Sequence, residues 1–393
     1  MHGQALANRY LVDGRYARIQ LNHVPMRFST DLTDVGRFRW GKVLRLGEVI
    51  LRLWWLVLLG RRDVLVMTLG LRNRLPLLRD AAILSLTRPL FRATVLHVHS
   101  GGWSEQLDRL PGLVRRVVER AYGAADLVIY LDESLRDDAL PEPRQVAYLP
   151  CGVEDPRLLA APAEAGPPCA TAAGANGSPA EQGSVPVVLF LGNLFEAKGT
   201  HVLARAADLL ARRGLEFRVA LAGAAPSEEE QSKLDDLVDE LDLGQRIEVE
   251  GPVGGAAKDR VFAGASVFCF PTYFEAEAMP LVVFEAMAYG LPVVSTTWRG
   301  IPSQVVEGVT GYLVEPGDVE ALADRLQVLL EDPGLARAAG RRGRERFEAR
   351  FEVEQFRRGF ERLVLVALAT EQGAPSRDGG RAARGPVPVP VEG

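Results

Sequence analysis

Glu277 and Glu285 stand eight positions apart in the run Phe274-Glu275-Ala276-Glu277-Ala278-Met279-Pro280-Leu281-Val282-Val283-Phe284-Glu285-Ala286-Met287-Ala288-Tyr289-Gly290. Pro280 suits a first helical turn, and Gly290 suits the left-handed residue that stops a helix. The residues between them are apolar on every side, which predicts a buried helix over 280–290. A carboxylate inside such a helix is costly unless a donor meets it. Glu285 therefore needs either a structural cation or the hydroxyl groups of a ligand. Glu277 precedes the helix, where backbone N–H groups attract an anion. Its plainest reading is a charge complement to the helix dipole.

Lys198 is the third group. The chain has 42 Arg and only 4 Lys, so a surface cation would ordinarily be Arg. Lys198 follows a strand predicted over 187–191 and opens the helix after it. A cation there opposes the helix dipole unless an anion is also present. Lysine plus backbone N–H groups makes a phosphate site, with a solvated lysine as the alternative. The segment from Gly192 to Thr200 is no P-loop, because Gly199 stands where Ser or Thr belongs and the spacing is too long. No strand is followed by GxGxxG, which disfavours a dinucleotide oxidoreductase. There is no HExxH, no GxSxG and no acidic metal cluster at a strand end, and Asp235-Asp236 reads as a solvated helix face. His99, closing Leu96-His97-Val98-His99, is by itself more often structural than catalytic.

These residues need a frame. Strands are expected at 18–24, 63–69, 94–99, 127–131 and 146–150, and again at 187–191, 217–222, 246–250, 267–270, 292–295 and 312–314. Helical periods separate them at 6–12, 37–59, 75–86, 105–122 and 134–140, then 201–213, 228–241, 258–264, 280–290, 319–330 and 335–347. Such alternation predicts an α/β protein with two doubly wound parallel sheets, and ligands held at strand carboxyl ends in a cleft between domains. The expected organisation is an N-terminal domain over 1–160 and a flexible linker over 161–184, where Ala, Gly, Pro and Ser dominate. A second domain follows over 185–350. A C-terminal helix over 351–370 packs back towards the first domain, and 371–393 form a disordered tail.

The chain has 393 residues with ordinary globular composition, two domains' worth. The first 150 residues carry 22 Lys and Arg against 15 Asp and Glu, and the remainder 24 against 36. A basic half joined to an acidic half suits two domains with different partners, or simple compositional drift. The net charge of −5 argues against nucleic acid as a partner. Cys151, Cys169 and Cys269 form no CxxC pair, which fits a reduced, cytoplasmic compartment. No apolar run reaches the roughly 20 residues of a membrane span.

Glu277-x7-Glu285, followed by Ala-Met-Ala-x-Gly-x-Pro-Val-Val, resembles the signature of retaining GT-B glycosyltransferases of the family 4, or group 1, type. Leu191-Gly192-Asn193 with Lys198-Gly199, Gly300-Ile301-Pro302 with Gly308-x-x-Gly311-Tyr312-Leu313-Val314, and Leu149-Pro150-Cys151-Gly152-Val153-Glu154 extend the resemblance. It is close over 186–350 and loose before that. The resemblance implies two Rossmann-like domains facing across a cleft, with a nucleotide-diphosphate sugar as substrate and neither cofactor nor metal. It makes Glu285 the ribose ligand and Glu277 the sugar-facing carboxylate. Lys198 would hold the diphosphate with Gly192, Asn193 and the backbone amides of Ala278, Met279 and Leu281. His99 is similar to the family's histidine at sugar and acceptor, which makes His99 and Glu277 the catalytic pair. His2, Gly3 and Gln4 resemble the acceptor-side loop.

The chain departs from that pattern where Asn193 replaces an arginine, Ala278 a glycine, Cys151 an asparagine and Ser303 an acidic residue. The implied activity is sugar transfer to an acceptor hydroxyl, lipid-linked or glycan, in cell-surface polysaccharide or glycolipid synthesis. The other reading is a catalytically silent subunit of the same fold that binds nucleotide-sugar or partners an active transferase. Helix 37–59 mixes Arg37, Arg39, Lys42, Arg45 and Arg52 with Trp40, Trp54 and Trp55. It is either a peripheral membrane helix for an anionic inner-face bilayer or a core helix with a basic solvated face. The N-terminal domain lacks its first, central strand, so the native polypeptide is expected to start upstream of Met1.

Overall fold

A run such as Leu127-Val128-Ile129-Tyr130 has no polar face to turn to water, so it is stable only as a strand covered on both sides. The computed structural model describes residues 3–26, 40–69, 74–100, 103–136, 143–159 and 185–372. They divide into two units, Met1–Cys151 with Glu354–Gly393, and Gly152–Val353. The expected linker over 161–184, His2 and the tail from 373 onward lie outside the described residues.

The first unit runs α1 (Gly3–Val12), α2 (Trp40–Leu58), β1 (Val64–Leu69), α3 (Arg74–Thr87), β2 (Ala93–Val98), α4 (Trp103–Asp108), α5 (Gly112–Tyr122), β3 (Leu127–Tyr130) and β4 (Val146–Tyr148). Among the described residues its four strands are parallel in the order β1-β2-β3-β4. Every residue of β2 and β3 is buried. Among the described residues β1 is an edge, and Asn8 of α1 donates to Thr68 Oγ1 at 2.9 Å.

Three expectations are corrected here. Residues 18–24 form no strand. Alternation alone gives a strand nothing to pair with, and the segment is held by side-chain bonds instead. The Arg18 N–H donates to Glu361 Oε1, and Arg61 donates to Asn22 Oδ1 at 2.7 Å. The helix expected over 105–122 is split into α4 and α5, because Pro111 cannot continue a helix and becomes the N-cap of α5. Of the helix expected over 134–140, the described part is a single 3₁₀ turn, Glu133–Leu135, capped by Asp132; residues 137–142 lie outside the described residues.

The second unit runs α6 (Pro156–Leu159), β5 (Val187–Leu191), α7 (Thr200–Arg212), β6 (Arg218–Ala222), α8 (Glu228–Glu240), β7 (Ile247–Gly251), α9 (Ala256–Ala263), β8 (Val267–Phe270), α10 (Leu281–Ala288), β9 (Val293–Thr296), α11 (Ile301–Gln304), β10 (Gly311–Val314), α12 (Val319–Glu331) and α13 (Pro333–Arg350). Its six parallel strands are ordered β10-β9-β8-β5-β6-β7. The chain winds outward from β5 in one direction and, after returning to β8, in the other. The switch point therefore lies between β5 and β8, which pair at Val188 and Val267. Phe190 and Phe270 stack across that pair, with ring centroids 5.4 Å apart.

The last helix, α14 (Val353–Gln372), belongs to the first unit from Glu354 onward. Arg357 donates to the Tyr10 carbonyl at 2.8 Å, and Gly359 leaves room for Leu149, whose Cδ1 would sit 2.5 Å from an added Cβ.

Candidate active site

The topology brings the two chemistry-bearing loops together. Residues 192–199 leave the carboxyl end of β5 and residues 271–280 leave that of β8, so neighbouring strands deliver neighbouring loops. Two bonds tie the loops to each other and a third braces the second loop. The Tyr273 N–H and Thr272 hydroxyl donate to the Ala197 carbonyl at 2.9 and 3.3 Å, and the Phe274 N–H donates to Thr272 Oγ1 at 3.3 Å. Gly199, at φ +87°, makes this fit: a Cβ there would stand 2.2 Å from the Pro271 carbonyl oxygen.

The second loop is also fastened to β9 and beyond. Ser295 donates to the Phe270 carbonyl and Thr296 to the Thr272 carbonyl, both at 2.6 Å. Trp298 Nε1 donates to the Phe274 carbonyl and Gln304 Nε2 to the Pro280 carbonyl, both at 2.9 Å. Those donors replace the ladder that a loop lacks, and they leave Glu277 on a fixed backbone.

On this frame Lys198, in the 3₁₀ turn Glu196–Lys198, forms an ion pair with Glu277. Both side chains are about 15% exposed (14% and 15%). The ammonium also lies 4.9 Å from the Phe274 ring centroid and 5.4 Å from that of Phe270. Carboxylate and two ring faces together hold the cation in place. Gly192 is half-buried and Asn193 exposed in the same first loop.

Helix α10 begins at Leu281 with Pro280 as its N-cap residue and no side-chain cap. Its first N–H groups are therefore not taken by a carboxylate or hydroxyl of the protein's own, as an anion site requires. Ala278 and Met279, just before it, are buried, and the Ala278 carbonyl accepts from the Gly300 N–H at 3.0 Å. Gly290, at φ +74°, ends the helix as expected.

Glu285 lies within α10 with its side chain 13% exposed. Lys258 of α9 donates to Oε1 at 2.6 Å, while Oε2 is buried without any hydrogen-bond partner. Burial pushes the carboxyl up from its ordinary value, and the Lys258 ammonium opposes that shift. The reading of Glu285 from sequence left cation and ligand open; the structure supplies a cation for one oxygen and leaves the other unmatched. Lys258 was missed. The signal that could have found it is the scarcity of lysine, since it is one of four in the chain.

His99 belongs to the first unit, at the carboxyl end of β2. Its Nε2 lies 3.1 Å from His97 Nδ1 and its Nδ1 lies 3.8 Å from Cys151 Sγ. The two rings meet edge to face, with centroids 4.1 Å apart. His97 is fully buried, packs beside Phe356 and Phe360, and leaves Nε2 without a partner. Burial lowers the His99 pKa from 6.5 to about 4, so the ring is neutral near neutral pH. Gly3 and Gln4, expected in an acceptor-side loop, instead open α1, where Ala5-Leu6-Ala7 favour helix.

Residues 176–346 match the family described as Glycosyl transferases group 1. The chain is 29% identical over 298 residues to the GDP-mannose-dependent alpha-(1-6)-phosphatidylinositol monomannoside mannosyltransferase of Mycolicibacterium smegmatis, covering 73% of this chain and 72% of that one. It is 34% identical over 176 residues to the sulfoquinovosyl transferase SQD2 of Arabidopsis thaliana, covering 44% of this chain but only 31% of the plant protein. Among solved structures, sucrose-phosphate synthase from Thermosynechococcus elongatus superposes with TM-score 0.63 at 22% identity, over 84% of this chain and 79% of that one. HepE of Anabaena, in complex with UDP, gives TM-score 0.63 at 18% identity, over 81% and 82% of the two chains. At such identities the superpositions speak for the fold, which is GT-B.

Proposed function

Because this chain is a GT-B glycosyltransferase of group 1, we propose that it moves a sugar from a nucleoside-diphosphate donor to an acceptor hydroxyl with retention of anomeric configuration. The observation that carries this reading is the pairing of Lys198, from the loop after β5, with Glu277, from the loop after β8 that leads into the helix of Glu285, at the switch point of the second sheet. Lys198, Asn193 and the amides of Ala278, Met279 and Leu281 receive the diphosphate beside Gly192, whose own N–H is taken by the Ala222 carbonyl, and the reading involves no metal ion. An arriving diphosphate draws the Lys198 ammonium from Glu277, and the released carboxylate faces the sugar. The Glu285 carboxylate accepts from the ribose hydroxyls. The role that the resemblance gives His99 towards sugar and acceptor would require one of its ring nitrogens to leave His97 or Cys151, which hold both. The charge-separated transition state is stabilised by these fixed groups and by the departing phosphate, which takes the acceptor's proton.

The acceptor in this reading is a glycan or lipid-linked hydroxyl at the inner face of a membrane. Helix α2 supports it. Val49 and Leu53 are buried, whereas Leu44, Leu51, Trp55 and Leu58 form an exposed stripe on the opposite face, from 62% to 79% accessible. Arg45 and Arg52 flank the stripe, and Arg61 and Arg62 follow the helix. Apolar residues in a row with basic neighbours suit the interface of an anionic bilayer. Among the described residues no helix is long and apolar enough to cross a membrane.

Calorimetry with UDP, GDP and ADP tests the donor site. One of them binds the native protein, and Glu285→Gln weakens that binding while free phosphate affinity stays unchanged. Equal loss for nucleotide and phosphate contradicts the ribose role. Co-sedimentation with vesicles tests α2: binding rises with anionic lipid content and falls in Trp55→Glu, and indifference to lipid charge contradicts the membrane reading.

A further inference from the structure

The donor-site reading leaves Lys258 without a task, yet it is the partner of Glu285, whose side chain is only 13% exposed. Helix α9 carries it, and α9 is fixed to the end of α10 by two contacts that follow the lysine in the helix. Tyr289 donates its hydroxyl to Asp259 Oδ1, the neighbouring residue of α9, at 2.5 Å. Phe262, one turn further on, stacks on the Tyr289 ring with centroids 4.9 Å apart and planes 7° from parallel. The stem of Lys258 thus starts from an anchored helix and ends 2.6 Å from Glu285 Oε1.

We propose that Lys258 is a positioning residue for ribose recognition: its ammonium supplies the counter-charge at Oε1 and fixes the carboxylate plane, so that Oε2 is the oxygen offered to the ribose hydroxyls. This inference rests on the donor-site reading of Glu285. Three facts carry it. Oε1 is saturated by a charged donor, while the buried Oε2 has no partner. A buried carboxylate without a counter-charge takes up a proton, and a neutral acid accepts hydrogen bonds more weakly than an anion. The lysine side chain is itself 28% exposed, so its reach to Oε1 is not forced by burial on every side.

The test measures binding of the nucleoside diphosphate that the native protein takes, beside its 2′,3′-dideoxy counterpart, by calorimetry. The native protein binds the ribose form more tightly. In Lys258→Met the ribose form loses about ten-fold or more in affinity, the worth of a charge-assisted hydrogen bond. The dideoxy form is unchanged, so the discrimination collapses, and Lys258→Arg restores it. Melting curves establish that each variant is folded, and Lys258→Gln replaces the methionine variant should that one not fold. Equal loss for both nucleotides, or no loss for either, overturns the role of Lys258 while leaving the donor site standing. Native protein that binds no nucleoside diphosphate overturns the donor-site reading and this inference with it.

Discussion

Lys198 and Lys258 each end on one of the two glutamates, yet the two pairs differ in what they leave open. Lys198 and Glu277 neutralise each other, so a diphosphate must compete with a carboxylate for the ammonium. The net gain is then that of a charged hydrogen bond rather than of a free charge. Lys198→Ala should weaken nucleoside-diphosphate binding by roughly 1.5–3 kcal/mol, read by calorimetry; unchanged affinity removes Lys198 from the site. Sequence alone pointed to Lys198, Glu277 and Glu285 through residue type and helix position. It could not pair Lys258 with Glu285, because that contact depends on how α9 and α10 cross.

The histidines make a second residue-scale prediction. Burial depresses the pKa of His97 well below 6.5, with the neighbouring His99 adding to the effect, and lowers that of His99 to about 4. The unfolded chain therefore binds more protons than the folded one once pH falls below 6.5, and stability is lost on that descent. Thermal melts should show the melting temperature falling between pH 6.5 and about 4, with a smaller fall in His97→Phe. A flat profile over that window contradicts neutral burial of the pair.

Elements were legible where apolar period and flanking signals agreed. The six strands of the second unit and the helix ending at Gly290 were read within a residue or two. Residues 18–24 had the alternation of a strand but no neighbour to pair with, and Pro111 divided a helix whose apolar period ran on through it. Register and loop contact have no local signal. Gly199 is an example: its glycine is demanded by Pro271, a residue far along the chain. Gly199→Ala should destabilise the second unit by about 2 kcal/mol or more through left-handed strain and the clash, measured by urea unfolding.

Helix α13 is tied to α10 by Arg344, which donates to both oxygens of Asp155 and, at 2.6 Å, to the Ala288 carbonyl. Both Asp155 and Arg344 are 8% exposed. Asp155→Ala leaves the buried guanidinium to Glu348, 2.6 Å away with its side chain 53% exposed, and to the Ala288 carbonyl, and should cost about 2 kcal/mol in the same measurement. A cost below about 1 kcal/mol, as for an exposed pair, contradicts the buried clamp.

At the scale of the whole chain, two parallel sheets followed from the βαβ alternation, and the basic first half and acidic second half fall largely on different units. The central claim is that this molecule transfers a sugar with retention. The direct measurement follows the reaction by proton NMR over UDP-, GDP- and ADP-sugars, with a lipid-linked or glycan acceptor and EDTA present. The account predicts that one α-linked donor yields an α-linked product without metal, and that Glu277→Gln abolishes turnover while nucleotide binding persists. A β-linked product contradicts retention. Nucleotide binding without turnover across donors and acceptors contradicts the transferase itself and describes a silent subunit.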